Sequence, residues 1–192
     1  MAPVVLFAFT FAATNRPMKK SAVTRQPSYF DRYIDLIADV DLPEAFRQSI
    51  ADLDALDPDA LNALGDRVYA PGKWTIKDLL QHLIDSERVF AYRALRFARN
   101  DKTVLPGFDE GLFAAHSGAP RRSLEEILAE MRLVRGSSVA LFDSFDEPAL
   151  RRTGIMFNSE LPVLAVGFTI IGHQKHHFRV MEERYFPLLE NA

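Results

Sequence analysis

Apolar residues recur at helical spacing along most of the chain after residue 28, and this periodicity constrains the fold more than any other feature. Two segments also begin with a capping box, in which a hydroxyl side chain precedes an acidic residue by three positions: Thr75 with Asp78, and Ser123 with Glu126. Strand signals are nearly absent. The pattern predicts a helical segment over 29–39, long helices over about 43–56, 75–99, 123–145 and 162–185, and a short extended piece over 153–158.

Breaker residues separate these helices. Asp57-Pro58-Asp59 ends the first long helix, and a looser segment follows to Gly72. Residues 100–122 are rich in glycine and proline and read as a long connection with a short helical turn near 112–116. Four long helices with such a connection predict an all-α fold: an antiparallel four-helix bundle with one long crossover loop.

The length of 192 residues suggests one domain. We predict a domain over 29–187, a tail over 188–192 and an N-terminal extension over 1–28. The extension carries four basic residues and no acidic one, and its apolar run over 3–13 is too short to span a bilayer. For residues 1–17 three interpretations stay open: a mis-assigned start, a signal peptide and a disordered tail.

The chain contains no cysteine. This excludes a disulfide scaffold, a thiolate zinc finger, an iron–sulfur cluster and a cysteine nucleophile, so any metal must be held by histidine, carboxylate or backbone oxygen. The formal net charge is −3 although residues 1–28 carry +4, so the rest of the chain is acidic. An acidic body argues against a nucleic-acid partner. We expect a cytoplasmic protein with neither a nucleic-acid nor a membrane partner.

Three of the five histidines lie at positions that could form one site. His173 and His177 are one turn apart on the apolar stripe of the last helix, and His82 lies at the edge of the apolar face of the 75–99 helix. A metal ion held by three imidazoles, with its fourth coordination position open, is typical of a catalytic site. Inward histidines are more often held by hydrogen bonds alone, so the spacing leaves both interpretations open. Glu-x-x-His pairs at matching positions and a G-x-S-x-G motif are both missing, which disfavours a di-iron bundle and a serine hydrolase.

Several ordered motifs point to one family. They are YAPGKWTIKDLLQH over 69–82, IDSERVFAYRALRFAR over 84–99, LPGFDE over 105–110, and GHQKHH over 172–177 with ERY over 183–185. Together they resemble the DinB-like superfamily, near its YfiT-like branch, over residues 29–187. The resemblance implies a four-helix bundle that binds a divalent ion, zinc or nickel, through three histidines. Carried onto this chain, these ligands are His82, His173 and His177.

Gln174 and His176 lie beside the candidate ligands of the last helix. Gln174 stands where relatives often carry glutamate, and because it does not share the ligand face we expect it to affect polarity around the site rather than metal binding. His176 also matches the family pattern, but its angle on the helix indicates a peripheral role.

The resemblance also implies an activity. Relatives divide between transferases or isomerases that use low-molecular-weight thiols, such as bacillithiol or mycothiol, and metal-dependent hydrolases. The reacting group would be a thiol or a water molecule bound to the metal. Without cysteine in the chain, a thiol must come from a cofactor or substrate. A small-molecule substrate and a homodimer are expected on the same basis. A third interpretation is a non-enzymatic, metal-stabilised binding or dimerisation module.

Polar side chains near His82 are candidates for supporting roles. Asp85, Ser86 and Arg93 are expected to orient ligands or to bind an anionic group of the thiol. An ion pair with Glu183 is the alternative for Arg93. Trp74 is interpreted as a structural anchor at the start of its helix rather than as a platform for substrate.

Overall fold

The computed structural model describes residues 18–23 and 29–190, and that part of the chain is mostly helical. Its helices are α1 (Asp31–Ile34), α2 (Leu42–Asp54), α3 (Pro58–Leu64), α4 (Ile76–Ala98), α5 (Glu110–His116), α6 (Leu124–Asp143), α7 (Glu147–Arg151), α8 (Val163–Val180) and α9 (Pro187–Glu190). Single 3₁₀ turns cover Lys20–Ala22 and Ala119–Arg121, and a π-helical turn covers Met181–Tyr185. Within the described residues, no helix combines the length and apolar character needed to cross a membrane.

The four long helices form the predicted bundle. α4 packs against α6 and α8, and α2 packs against the same two helices from the opposite side. Both capping boxes are present, with the Thr75 and Ser123 side chains accepting backbone N–H groups at the starts of α4 and α6. The all-α four-helix bundle predicted from the sequence is confirmed, and the crossover over 100–122 contains α5, close to its predicted turn.

A buried polar network links all four helices of the bundle. Arg135 on α6 donates two hydrogen bonds of 2.9 Å to the Glu87 carboxylate on α4, and these two side chains are only 2% and 4% exposed. Arg135 also donates to the Ser49 hydroxyl on α2 at 2.5 Å. The Gln174 amide on α8 donates to the Ser49 carbonyl at 2.8 Å. Because each of these four side chains contacts a residue on another helix, the network fixes how the helices are placed relative to one another.

Two predictions about the first third of the body need correction. The segment predicted to be loose contains α3, which begins with an Asp57 cap and Pro58 at its first position and buries Leu61 and Leu64 completely. The helical segment predicted over 29–39 is only one turn long, α1. After α1 the chain continues in tighter turns, in which the Leu36 and Ile37 N–H groups each donate to a carbonyl three residues back at 3.1 Å, until Asp41 caps the start of α2.

Residues 18–23 pack against the body of the protein. The Met18 side chain is 6% exposed, and its carbonyl accepts the Leu42 N–H at 3.1 Å. Lys20 N–H donates to the Val40 carbonyl at 3.0 Å. At the other end, the Leu188 carbonyl accepts a hydrogen bond from Arg67 at 2.8 Å. The division at 28/29 and at 187/188 remains a prediction, and residues 1–17 lie outside the described residues.

A short antiparallel hairpin lies between α7 and α8. Its strands are β1 (Thr153–Met156) and β2 (Ser159–Pro162), so the extended piece predicted over 153–158 is half of a hairpin. The two turn residues, Phe157 and Asn158, both have left-handed backbones, with φ of 48° and 58°. A type I′ turn, common in two-residue hairpins, requires positive φ at both positions. The Leu105 N–H donates to the Ile155 carbonyl at 3.2 Å. This contact ties the hairpin to the crossover and brings the Phe157 ring toward the bundle.

Candidate metal centre

Three histidine side chains meet between α4 and α8. His82 comes from α4, and His173 and His177 lie one turn apart on α8. The Nε2 atom of His173 lies 3.2 Å from Nε2 of His82 and 3.1 Å from Nε2 of His177. One nitrogen from each ring can be chosen so that all three lie within 4.8 Å of one another. The structure therefore brings together the three residues that the sequence singled out, and their role as ligands stays a prediction.

Local sequence features place these rings. The Thr75–Asp78 capping box fixes the start of α4 two turns before His82. On α8, Gly172 allows α1 to approach closely: a Cβ atom at this position would lie 2.1 Å from the Tyr33 carbonyl oxygen. As a result the Tyr33 ring stands edge-on to His173, with ring centroids 5.0 Å apart.

The donor set fits a divalent metal ion. Imidazole nitrogens bound to zinc at 2.0–2.1 Å in tetrahedral geometry lie about 3.3 Å from one another, close to the 3.1 and 3.2 Å between the Nε2 atoms here. Within the described residues, the buried Nδ1 atom of His177 has no hydrogen-bond partner. Lone pairs that converge at this distance repel unless a proton or a cation lies between them. Three nitrogens with one tetrahedral position left over match an open, catalytic type of site.

The three imidazoles are neutral at physiological pH. Burial disfavours the charged imidazolium and lowers the pKa of His82 from 6.5 to about 4. Burial, with the nearby histidines as a smaller cause, lowers the pKa of His177 to about 3. The same causes hold the pKa of His173 well below its ordinary value. Neutral imidazole is the form that binds metal, so the lone pairs are available without prior loss of protons.

Aromatic rings surround the three histidines. The Trp74 ring lies over His82 with centroids 4.7 Å apart, and the Phe90 ring meets His173 edge-on at 6.0 Å. The Trp74 carbonyl accepts a 2.6 Å hydrogen bond from the Tyr185 hydroxyl, which ties the start of α4 to the turn after α8. Trp74 is thus an anchor through its backbone, as the sequence predicts, and also a direct neighbour of His82 through its ring.

Of the polar candidates on α4, Ser86 lies beside His82 and Asp85 does not. The Ser86 hydroxyl is buried and lies 3.4 Å from Nδ1 of His82, near the atom that a supporting group would contact. Asp85 instead accepts a hydrogen bond from Gln81 at 3.0 Å and lies 4.0 Å from Arg88. Burial raises the pKa of the Asp85 carboxyl. The structure therefore brings Ser86, but not Asp85, into contact with the three histidines.

Arg93 is buried about two helical turns beyond Ser86 and does not contact the histidines. It donates to the Pro106 carbonyl at 2.7 Å. The alternative of an ion pair with Glu183 is wrong: the Glu183 carboxylate lies 3.9 Å from Arg179 on its own helical segment. The direction of the side chain explains this, because Arg93 points inward while Arg179 and Glu183 are both exposed.

Gln174 and His176 both lie outside the group of three. The Gln174 side chain turns to α2, where it joins the polar network described above. His176 is half-buried, and its ring contacts Tyr33 and His177 with centroids 5.5 and 5.0 Å apart. Its position beside the site agrees with the peripheral placement expected from its helical angle.

A cavity that the sequence does not predict opens beside His173. Its wall is mostly aromatic and comes from five separate parts of the chain: besides His173 these supply Tyr33, Phe90, Phe108 and Phe157, and Arg93 also lines it. Because these residues are far apart in sequence and lie on loops and turns as well as on helices, no periodicity or spacing joins them.

Comparison with known proteins agrees with this arrangement. The family model of the DinB superfamily matches residues 38–181. A solved structure, YfiT from Bacillus subtilis, is similar with a TM-score of 0.59 and 16% identity, over 88% of this chain and 90% of that one. It is described as a probable metal-dependent hydrolase with an unusual four-helix bundle topology. No curated protein gives a significant match. Since the family model spans α2 to the end of α8 with all three histidines inside it, the chain belongs to the DinB superfamily.

Proposed function

We propose that this protein is a divalent-metal-dependent enzyme that activates a low-molecular-weight thiol, such as a bacillithiol-like one, for transfer to an electrophilic small molecule. His82, His173 and His177 would hold the ion, zinc or nickel. The observation that carries the proposal is the convergence of three neutral imidazole nitrogens, 3.1 and 3.2 Å apart, in a chain without cysteine. An all-nitrogen site leaves the charge of the ion uncompensated, and the absence of cysteine requires that the thiol be a second substrate.

When bound, a divalent ion in this site would lower the pKa of a thiol or a water molecule at its open position. The thiol would give up its proton to solvent, its sulfur would form a bond to the electrophilic carbon, and the bond from that carbon to a halide or an epoxide oxygen would break. The chain supports this reaction by keeping the three rings in place. The Trp74 ring covers His82, and Tyr33 packs edge-on against His173.

Ser86 has a supporting role in this proposal. Its buried hydroxyl lies 3.4 Å from Nδ1 of His82. If this contact shortened so that Nδ1–H donated to the hydroxyl, the ring would be held in the tautomer whose Nε2 is free to bind metal. The Asp85 carboxylate does not take this role, because it accepts a hydrogen bond from Gln81 on its own helix.

Hydrolysis is the second candidate, and one finding favours it: the similar structure of YfiT is described as a probable metal-dependent hydrolase. The same three histidines would then hold an ion that activates water rather than a thiol. No side chain identified here separates the two reactions, because both use the same open position.

Two measurements test the proposal in order. Metal analysis of protein purified without a histidine tag should give about one zinc or nickel ion per chain. Monochlorobimane should then be offered with bacillithiol, glutathione, coenzyme A or no thiol. Adduct formation only with a thiol supports transfer. Hydrolysis of ester or amide substrates without a thiol supports the second candidate.

Variants separate catalysis from stability. His82→Ala should abolish metal binding and turnover while leaving the helical circular dichroism largely unchanged. His116→Ala is the matched control, because His116 is an exposed histidine on α5, outside the group of three. If the protein binds less than about 0.2 metal ions per chain, both enzyme candidates fail. If His82→Ala unfolds the chain, a structural, non-enzymatic module is the better interpretation.

A further inference from the structure

A small aromatic cavity opens to solvent beside His173. Its volume is about 40 Å³, so a ligand would place its inner end there and the rest of its body between the rings at the mouth. Phe90 and Phe108 form part of its wall, and the Phe90 ring also touches His173. A molecule in this cavity would therefore lie next to one of the three converging imidazoles.

A buried cation lines the same cavity. The Arg93 side chain belongs to a residue that is only 4% exposed. Its hydrogen-bond partners are neutral: the Pro106 carbonyl at 2.7 Å and the Met156 sulfur at 4.0 Å. Among the described residues, no carboxylate forms an ion pair with it. A guanidinium offers five N–H donors, and a buried charge is costly unless an opposite charge accompanies it. Arg93 thus has both spare donors and an uncompensated charge facing the cavity.

The charged groups around the mouth do not pair with Arg93. Glu110 lies at the exposed rim, where burial raises the pKa of its carboxyl; the nearby Arg32 guanidinium acts in the opposite direction, and the charge of Asp109 adds to the increase. Arg32 donates to the Tyr33 hydroxyl at 2.6 Å and lies over the Tyr29 ring. Glu110 thus has one basic and one acidic neighbour at the mouth, and within the described residues it forms no ion pair with Arg93.

Apolar surface at the mouth is also uncovered. The Tyr29 and Phe157 rings are in contact, with centroids 5.6 Å apart, yet they remain 43% and 53% exposed. Phe157 is held there with φ of 48°, a backbone conformation that a bulky side chain rarely adopts. The hairpin thus keeps an exposed aromatic ring at the rim at some cost in backbone energy.

From these observations we propose that the cavity binds an organic carboxylate with a flat, apolar body. Arg93 would hold the carboxylate at the inner end, and the rings of Phe90, Phe108 and Phe157 would cover the body. Only the assignment of this ligand as a substrate rests on the proposed function. Binding itself requires Arg93 and the rings, not the metal.

Benzoate is a suitable probe, with benzamide as its neutral counterpart of the same shape. Binding of each to the full-length protein, treated with a chelator, is measured by calorimetry or by ligand-observed NMR. Benzoate should bind at least 10-fold more tightly than benzamide. Arg93→Met should weaken benzoate binding about 10- to 100-fold, the loss expected for a charge-assisted hydrogen bond. Arg96→Met is the matched control, because Arg96 lies on the same helix, pairs with Asp101 and does not line the cavity.

The carboxylate could belong to the thiol or to the electrophile, and competition distinguishes them. If cysteine displaces benzoate and cysteamine does not, the carboxylate of the thiol occupies the Arg93 end. If neither displaces it and benzoate still requires Arg93, the carboxylate belongs to the other substrate. Either result supports the proposal.

Three results would overturn it: no benzoate binding, equal binding of benzoate and benzamide, or unchanged benzoate binding by a folded Arg93→Met protein. If Arg93→Met does not fold, the benzoate–benzamide comparison on the unmodified chain still decides, and Arg93→Lys provides a variant that keeps the charge. Because the chelator removes metal, these outcomes are independent of the metal analysis that tests the proposed function.

Discussion

Acid should destabilise the metal-free protein through its buried histidines. In the folded state the pKa values of His82 and His177 are about 4 and about 3, whereas in the unfolded chain they return to about 6.5. A lowered folded-state pKa means that the unfolded chain binds more protons as the pH falls below 6.5. Stability is therefore present at neutral pH and is lost progressively as the pH falls toward the folded-state pKa values.

The size of the loss follows from these values. At pH 5.0 both histidines are still neutral when folded and almost fully protonated when unfolded. Each then contributes a loss of about 2 kcal/mol relative to pH 7.5, from 1.5 pH units at 1.36 kcal/mol per unit. The pair gives about 4 kcal/mol, and His173 adds to it because its pKa is lowered as well. This is a large part of the roughly 5–15 kcal/mol that stabilises a typical domain.

Urea unfolding of chelator-treated protein at pH 7.5 and 5.0, followed by circular dichroism, measures this loss. In His82→Gln, the loss between the two pH values should be about 2 kcal/mol smaller than in the unmodified protein. His116→Gln, which removes an exposed histidine, should leave the loss unchanged. An equal loss in His82→Gln and in the unmodified protein would refute the assignment of the acid sensitivity to the buried group.

Three further predictions concern the frame around the site. Arg135→Met should lower the free energy of unfolding by about 3–5 kcal/mol, because it leaves the buried Glu87 carboxylate unpaired; urea unfolding measures this, and adding Glu87→Leu should recover most of the loss. Gly172→Ala should lower both the melting temperature and the zinc affinity, since its Cβ would lie 2.1 Å from the Tyr33 carbonyl oxygen. A zinc titration with unchanged affinity would contradict that close approach. Thr75→Ala should cost about 1 kcal/mol through loss of the helix cap, and a chemical denaturation curve that coincides with the unmodified one would argue against it.

Features that depend on neighbouring residues could be predicted from the sequence. The capping boxes at Thr75 and Ser123 place the starts of α4 and α6, because a cap involves only three or four consecutive residues. The spacing of His173 and His177 likewise puts both rings on one helical face. That His82 lies close to this pair could also be predicted, because the sequence places all three histidines at the inward edges of their helices.

Features that depend on contacts between distant segments could not be predicted. The hydrogen bond from the Lys20 N–H to the Val40 carbonyl joins a 3₁₀ turn to a loop with which it shares no sequence pattern. The aromatic cavity needs Tyr29, Phe108 and Phe157, which are brought together by a helix start, a crossover and a hairpin turn. Arg93 lies at helical spacing from His82, but only the fold shows that its partners are neutral.

The π-helical turn after α8 determines how tolerant this protein is to changes in chain length. A π turn holds one more residue than an α turn, and here it brings Tyr185 to the position where its hydroxyl reaches the Trp74 carbonyl at 2.6 Å. Removing one residue from this turn would let it close as an α turn and would leave the segment after it in nearly the same orientation. Inserting a residue into the α-helical part of α8 would instead rotate everything beyond it by about 100° around the helix axis. The anchor to Trp74 would then be lost although no residue of the site had been replaced. The π turn is therefore a place where the chain tolerates the loss of a residue better than within α8 itself.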